Sequence, residues 1–298
     1  MRPPARPLPP AEIVTGERLQ ALAEAILIPR LITRRHRSAP VESPNAVVFD
    51  EHRSIGAEEL DRLSRARSLS LYSNALALFK QHVWPKLTGT GYVLISNNAD
   101  DPVGPDQIPW VDEAGDKLDH WFAQNLMVEH PKLSPLPIGL ANAMWPHGDV
   151  DALCAAMAAP APREELLHAR FDLDTHPDRR RAWHAVSRAF PEVASKASDR
   201  QPFRDYLREI ARHRFCACPR GNGVDTHRFW ECQYLGVTPV VERSAHTEIW
   251  ERRGLPMVTL DDWSHLSRDR LEREPQAVNA EPVLLLRLSH YASLVRGT

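Results

Sequence analysis

Residues 215–263 read FCACPRGNGVDTHRFWECQYLGVTPVVERSAHTEIWERRGLPMVTLDDW, and this stretch decides the fold. An apolar run, Arg214 to Cys218, stops at the glycine-rich turn PRGNG. Apolar residues then recur at helical spacing over 229–235, and a second apolar run follows from Val237 to Val241. This order predicts a strand, a turn, a helix and a strand. In such a unit, backbone N–H groups and the helix N-terminus point over the end of the first strand, where a phosphate or pyrophosphate binds.

The turn itself carries residues suited to an anion. Gly221, Asn222 and Gly223 form it, and glycine allows a positive φ and a close approach of the backbone to a phosphate. Arg220 and Arg228 flank the turn as fixed cations. An arginine in the first turn of a helix is opposed by the helix dipole unless an anion is present, so Arg228 favours an anionic ligand. The short glycine motif alone is also typical of an ordinary tight turn, and it lacks the Gly-Lys-Ser/Thr of a nucleoside-triphosphate loop.

The predicted helix after the turn opens on Asp225, Thr226 and His227. Asp225 or Thr226 could cap it by accepting a hydrogen bond from a backbone N–H. His227 lies in the first turn beside Arg228. Glu231 lies one turn further in, where a helix carboxylate commonly faces solvent.

Composition limits the class of protein. The chain has 298 residues and a net charge of −2, so it is long enough for two domains and has no basic field to bind nucleic acid. No apolar run reaches the length of a membrane span, and the proline-rich start, MRPPARPLPP, lacks the apolar core of a signal peptide, so we expect a cytoplasmic protein. Basic stretches at 30–37 and 179–181 fit either a solvated helix face or contact with a phosphate-bearing or membrane-bound acceptor, the latter through peripheral membrane association.

Strands and helices alternate along the chain, which predicts an α/β fold with mostly parallel sheets. The predicted helices lie at 11–29, 56–80, 117–121, 149–158, 178–190, 203–212, 225–235, 261–273 and 283–295. The predicted strands lie at 46–49, 91–96, 122–126, 133–140, 166–171, 214–218, 237–241 and 255–260. A proline pair within 159–162 predicts the linker. The chain thus divides into an N-terminal arm and helix (1–40), a Rossmann-like domain (41–160) and a second Rossmann-like domain with C-terminal helices (163–298).

Two such domains facing each other would form a cleft at the carboxyl ends of their strands. In the first domain Asn98 and Asp100 follow a buried strand. Asp100 is the candidate general base, although Asn and Asp clusters also simply shape turns. Asn125, Asn142 and His147 are further candidates on this side of the cleft.

Thr175 and Arg180 lie at the start of the second domain's first helix, a further position from which phosphate oxygens could be contacted. Cys216, Cys218, His227 and Cys232 together offer soft metal ligands, but the C-x₂-C spacing of a zinc knuckle is absent. Because cysteine is also a common small buried residue, the sequence predicts no metal site.

The stretch PRGNGVDTHRFWECQYLGVTPVV, followed by LP and DDW, resembles the donor half of exostosin-like glycosyltransferases, especially the branch with ribitol xylosyltransferase-like and bacterial or viral capsule enzymes. YVLISNNADD (92–101) and WFAQNLMVEHPKLSPLPIGLANAMWPHGD (121–149) extend the resemblance, in patches, over roughly residues 90–265. The resemblance implies the GT-B fold, two Rossmann-like domains with the donor site in the second. It also implies a nucleoside-diphosphate sugar donor, a glycan or polysaccharide acceptor, and a Glu231 that holds ribose hydroxyls.

Together these features predict a glycosyltransferase, and the resemblance implies that it is an inverting one. The donor diphosphate would lie at 220–223 and the helix N-terminus, and Arg228 would stabilise the charge that develops on it. Protein cations would do this without a metal ion or other cofactor. Asp100 would take the proton of the acceptor hydroxyl. The alternative is a non-catalytic module of the same fold that binds a nucleotide sugar or glycan.

Overall fold

The computed structural model describes residues 8–30, 44–50, 55–159, 162–194, 201–275 and 284–298. The chain forms two compact units. The N-terminal unit comprises Thr15–Ile138 with Leu288–Thr298, and the C-terminal unit comprises Met1–Val14 with Gly139–Arg287. Residues 1–7 of the predicted proline-rich arm and residues 31–37 of the basic stretch lie outside the described residues.

The N-terminal unit contains a six-stranded parallel sheet in the order β2-β1-β3-β4-β5-β6. Every residue of β1, β3 and β4 is buried, as expected for parallel strands that are covered on both faces. The strands are β1 (Ala25–Pro29), β2 (Ala46–Phe49), β3 (Ser68–Tyr72), β4 (Tyr92–Asn97), β5 (Leu118–Ala123) and β6 (Leu133–Pro135). The α-helices that precede or connect them are α1 (Gly16–Gln20), α2 (Ala57–Arg65), α3 (Leu76–Leu78) and α4 (Ile108–Glu113).

The C-terminal unit contains a four-stranded parallel sheet in the order β10-β9-β8-β7. Its strands are β7 (Glu165–His168), β10 (Val258–Leu260), and the central pair β8 (His213–Ala217) and β9 (Thr238–Glu242). Phe215 and Val240 from the central strands pack with Trp263 in one buried core. The helices are α5 (Val150–Ala158), α6 (Pro177–Ala189), α7 (Pro191–Ala194), α8 (Phe203–Ala211), α9 (His227–Leu235), α10 (Ala245–Arg252) and α11 (Arg268–Arg273).

These sheets confirm the predicted α/β class with parallel strands. Both sheets are compatible with a Rossmann-like fold. The GT-B arrangement of two such domains stays a prediction. Several local predictions are confirmed as well. The strand at 46–49 has the predicted bounds, and Asp149 caps α5 by accepting a 2.8 Å hydrogen bond from the backbone N–H of Ala152.

Three predicted helices in the N-terminal unit are wrong. The predicted helix 11–29 reduces to a short turn and α1, and Ala25–Pro29 is strand β1, which pairs with β2 and β3 inside the sheet. The predicted helix 56–80 is interrupted: α2 ends at Arg65, β3 follows, and the chain becomes helical again at Leu76. Residues 118–121, predicted as helix, belong to β5. Short apolar runs match a helix and a doubly covered strand equally well, and the sheet decides between them.

The division of the chain also differs from the predicted one. It falls between Ile138 and Gly139 and not at the prolines of 159–162. Helix α5 packs against α8 and α9, which places it in the C-terminal unit. Helix α12 (Leu288–Arg296), predicted to belong to the second domain, packs against α1 in the N-terminal unit. Among the described residues, no helix is long and apolar enough to cross a membrane.

Candidate functional site

The predicted strand–turn–helix–strand unit is present around the turn at 219–223. Strand β8 ends at Ala217, and α9 begins at His227. Thr226 caps α9, because its Oγ1 accepts a 3.4 Å hydrogen bond from the backbone N–H of Phe229. Gly236, with φ 66°, ends the helix in the left-handed conformation that glycine adopts at little cost. The turn therefore lies between the carboxyl end of a central strand and a capped helix N-terminus.

The glycines of the turn act differently from the sequence prediction. Neither Gly221 nor Gly223 has a positive φ. A Cβ added to Gly221 would lie 3.3 Å from Nη2 of Arg179. Gly221 therefore makes room for an arginine side chain, and the expectation of left-handed backbone at this turn is wrong.

Arg179 is the arginine that braces the turn. Its Nε donates to the carbonyl oxygen of Arg220 at 2.9 Å, and its Nη1 donates to the carbonyl oxygen of Asp172 at 3.0 Å and to Oγ1 of Thr175 at 3.2 Å. Within the described part of the chain, Nη2 makes no hydrogen bond, and it lies on the side of Gly221. Thr175, predicted from sequence, is thus part of the site through Arg179.

Sequence reasoning chose the neighbouring residue, Arg180, and missed Arg179. Arg180 is exposed, and its guanidinium pairs with the carboxylate of Asp174. The signal was present in the spacing. Ala182 and Val186 are buried in α6, and residue 179 lies three and seven positions before them on the same helix face.

The side chain of Arg220 forms hydrogen bonds with the backbone of its own turn. Its Nε donates to the carbonyl oxygen of Gly221 at 3.2 Å, and its Nη2 donates to that of Asn222 at 2.8 Å. These bonds hold the turn in one shape. Asn222, within the same turn, is exposed to solvent.

Arg228 is partly buried on the first turn of α9. Its Nε donates to the hydroxyl of Tyr206 at 2.9 Å, and its guanidinium lies over the rings of Tyr206 and Phe171 at 5.7 and 5.8 Å. Burial acts to lower the pKa of Arg228, but the neighbouring Tyr206 and Cys216 groups outweigh it, and the net pKa is raised. Arg228 is therefore a fixed positive charge at the site.

Glu231 lies behind Arg228 and does not face solvent. The residue is 3% exposed, and its Oε2 accepts a 3.0 Å hydrogen bond from the Tyr206 hydroxyl. Burial raises the pKa of Glu231 from 4.5 to about 7, against the lowering effect of Arg228. The solvent-facing interpretation is wrong, and the ribose contact stays a prediction.

Arg179 and Arg228 bring two like charges to the same turn. The pKa of Arg179 is lowered by burial and, next, by the positive charge of Arg228. Two guanidinium groups that repel each other are stabilised when an anion binds between them. Together with the N-terminus of α9, they give the turn a positive charge suited to phosphate oxygens.

Asp225 anchors the first turn of α9 and does not cap it. The residue is 5% exposed, and its Oδ1 accepts hydrogen bonds from Nε1 of Trp230 at 2.8 Å and from the backbone N–H of Thr226 at 2.9 Å. Nε2 of His246 on α10 lies 3.6 Å from the same oxygen. Asp225 thus links α9 to α10, a structural role.

His227 and His147 meet in the C-terminal unit. Nδ1 of His227 donates to the carbonyl oxygen of Gly139 at 2.8 Å, and the centres of the two imidazole rings are 5.9 Å apart. Partial burial and the neighbouring His227 lower the pKa of His147. The carbonyl oxygen of Asn142 accepts from the backbone N–H of Trp145 at 2.9 Å. Asn142 and His147 therefore belong to the unit that carries the turn, and not to the acceptor-side domain predicted from sequence.

The other predicted acceptor-side residues follow the carboxyl ends of strands β4 and β5 in the N-terminal unit. Asn98 and Asn125 both adopt left-handed backbone, with φ 58° and 54°. The backbone N–H of Asn98 donates to Gln124, and Nδ2 of Asn125 donates to the carbonyl oxygen of Ala99 at 3.1 Å. These bonds join the loops that follow β4 and β5. Asp100 is exposed in the first of these loops.

No protein-family model matches the chain, and no curated protein matches its sequence significantly.

Proposed function

We propose that the chain is an inverting glycosyltransferase, which moves a sugar from a nucleoside-diphosphate sugar to a hydroxyl of a glycan or polysaccharide. One observation carries this proposal. Arg179 and Arg228 flank the turn at 219–223, at the end of a central parallel strand and at the N-terminus of α9. The resemblance of this segment to exostosin-like donor sites supports a sugar nucleotide as the anion.

In this proposal the donor diphosphate binds at the turn, with Nη2 of Arg179 and the N–H groups of the first turn of α9 as donors. Negative charge grows on the leaving diphosphate as the glycosidic bond to it breaks. Arg228 is fixed by Tyr206 before the donor arrives, so it stabilises that charge without reorganisation.

The acceptor hydroxyl loses its proton to a general base as it attacks the anomeric carbon. Asp100, exposed at the edge of the N-terminal sheet, remains the candidate from sequence. His147 is a second candidate, because its lowered pKa keeps the imidazole neutral, and able to accept a proton, at neutral pH.

Adjacent arginines provide a matched test of donor binding. Thermal shift with a panel of UDP- and GDP-sugars and free nucleotides identifies the best ligand, and titration then gives its Kd. We expect Arg179→Ala to weaken this ligand at least about tenfold, because a charged donor to phosphate is lost. Arg180→Ala removes the same charge from an exposed ion pair and should leave the Kd nearly unchanged. Equal effects of the two changes would refute the placement of the diphosphate at the turn.

Turnover is tested separately with Arg228→Ala, which should abolish nucleotide release while circular dichroism stays that of the folded chain. Unchanged turnover in this variant would contradict the role of Arg228.

The alternative, a binding module without turnover, has its own support. Asp225 lies just before α9, and Glu231 lies within it. Both carboxylates are buried and hydrogen-bonded, so neither can act as a general base at the turn. Nucleotide release from a bound nucleotide sugar distinguishes the two functions. Tight binding with no release, over a broad panel of acceptors, would establish the module.

A further inference from the structure

Three buried thiols converge behind the turn. Cys216 lies on β8, Cys218 follows its last residue, and Cys232 lies on α9. Their Sγ atoms all lie within 4.8 Å of one another, and those of Cys218 and Cys232 are 3.9 Å apart. Because side chains of a strand alternate, positions 216 and 218 share a face, and α9 covers that face with the third sulfur.

We propose that the C-terminal unit binds one Zn²⁺ ion through the thiolates of Cys216, Cys218 and Cys232, with the imidazole of His168 as fourth ligand. Zn–S bonds of about 2.3 Å in a tetrahedron separate two sulfurs by about 3.8 Å. The Cys218–Cys232 separation already has this value, and the other pairs are at most 4.8 Å apart. Small side-chain movements therefore close the site.

His168 lies next to the Cys216 thiol and is the candidate fourth ligand. His168 is buried and is the last residue of β7, and its Nδ1 lies 3.5 Å from Sγ of Cys216. Sulfur and nitrogen ligands of one tetrahedral zinc are about 3.6 Å apart. Nε2 of His168 makes no hydrogen bond within the described residues, and it lies 3.9 Å from Oε1 of Glu209. A carboxylate on the far nitrogen of a histidine ligand is a common outer partner at zinc sites.

Charge also fits this assignment. Three thiolates, a neutral imidazole and Zn²⁺ sum to one negative charge, and the guanidinium of Arg228 acts electrostatically on Cys216 and Cys218 from nearby. Each thiol that binds zinc loses its proton to solvent as its Zn–S bond forms, so affinity increases with pH.

The proposed zinc is structural. Four protein ligands leave no open position for substrate, and the site is enclosed between β8 and α9. The ion would fix the distance between the strand that precedes the turn and the helix that follows it. This inference does not depend on the proposed glycosyl transfer. His227, the histidine suggested by the sequence spacing, is not part of the group of ligand atoms that lie close together.

Metal content tests the proposal. The full chain is expressed with added zinc, purified without chelator and analysed by plasma mass spectrometry, and we expect one zinc per chain. Cys216→Ser, Cys218→Ser or Cys232→Ser should each lower zinc affinity by about tenfold or more. The matched control is Cys154→Ser, a half-buried thiol of α5 outside the cluster, which should retain full zinc.

Cobalt keeps the test independent of whether the variants fold. The wild-type chain, stripped of metal and loaded with Co²⁺, should show the thiolate-to-cobalt charge-transfer band and the intense visible bands of a tetrahedral site. His168→Gln should keep the charge-transfer band and weaken binding at least about tenfold. Wild-type chain with only substoichiometric zinc and no charge-transfer band would overturn the proposal. So would equal loss of zinc in the Cys154→Ser control.

Discussion

Glu231→Gln should change how the stability of the fold depends on pH. The carboxyl of Glu231 is buried beside Tyr206, and burial raises its pKa from 4.5 to about 7. In the unfolded chain the same group titrates near its ordinary value. Because the folded pKa is the higher one, its contribution is fully present below about pH 4.5 and is lost as pH rises through about 7.

The size of this loss follows from the two pKa values. A difference of about 2.5 units, 7 minus 4.5, corresponds to about 3 kcal/mol of unfolding free energy, most of it lost between pH 5 and 8. Glutamine cannot ionise. The free energy of unfolding of the wild type, minus that of Glu231→Gln, should therefore fall by about 2–3 kcal/mol over this interval.

Urea unfolding at half-unit pH steps from 5 to 8 measures this difference. Subtracting the two proteins removes every titrating group that they share. Glu272→Gln makes the same chemical change at an exposed position of α11, and its difference from wild type should stay nearly flat. Parallel curves for wild type and Glu231→Gln would refute the reasoning, because they would mean that Glu231 ionises in the fold as easily as in the unfolded chain.

Three further predictions concern stability at neutral pH and are checked by chemical denaturation. Arg179→Ala should lower the free energy of unfolding by about 2–4 kcal/mol, because three hydrogen bonds from one half-buried cation are lost. Arg180→Ala removes only an exposed ion pair and should lower it by less than about 1 kcal/mol. Similar losses in the two variants would contradict the bracing role of Arg179. Gly115→Ala should lower the free energy of unfolding by about 1–2 kcal/mol, because its backbone is left-handed and the space around it is open. Gly139→Ala should lower it by at least about 2 kcal/mol more, because a Cβ there would overlap the backbone of Val14. Equal losses would show that the chain relaxes around the added Cβ. Thr226→Ala should cost about 1 kcal/mol as a lost helix cap, and a Thr226→Ser variant that fails to recover most of it would argue against capping.

Local chemistry made much of the C-terminal unit predictable. The cap at Thr226 and the glycine at position 236 set the ends of α9, and the turn residues between 219 and 223 end the strand before it. These signals act over a few residues, so the sequence alone contains them. The α/β class followed for the same reason, from alternating apolar runs and helical spacings.

Only the tertiary structure decided which residues meet. Ala25–Pro29 is a strand because the sheet covers both of its faces, and its apolar run fits a helix just as well. Glu231 is buried, and Cys216 approaches His168, because β7, β8, α8 and α9 pack together, and no local spacing records that packing. The sequence by itself determined the elements around the turn; packing between distant segments determined that Arg179 braces it and that three thiols lie behind it.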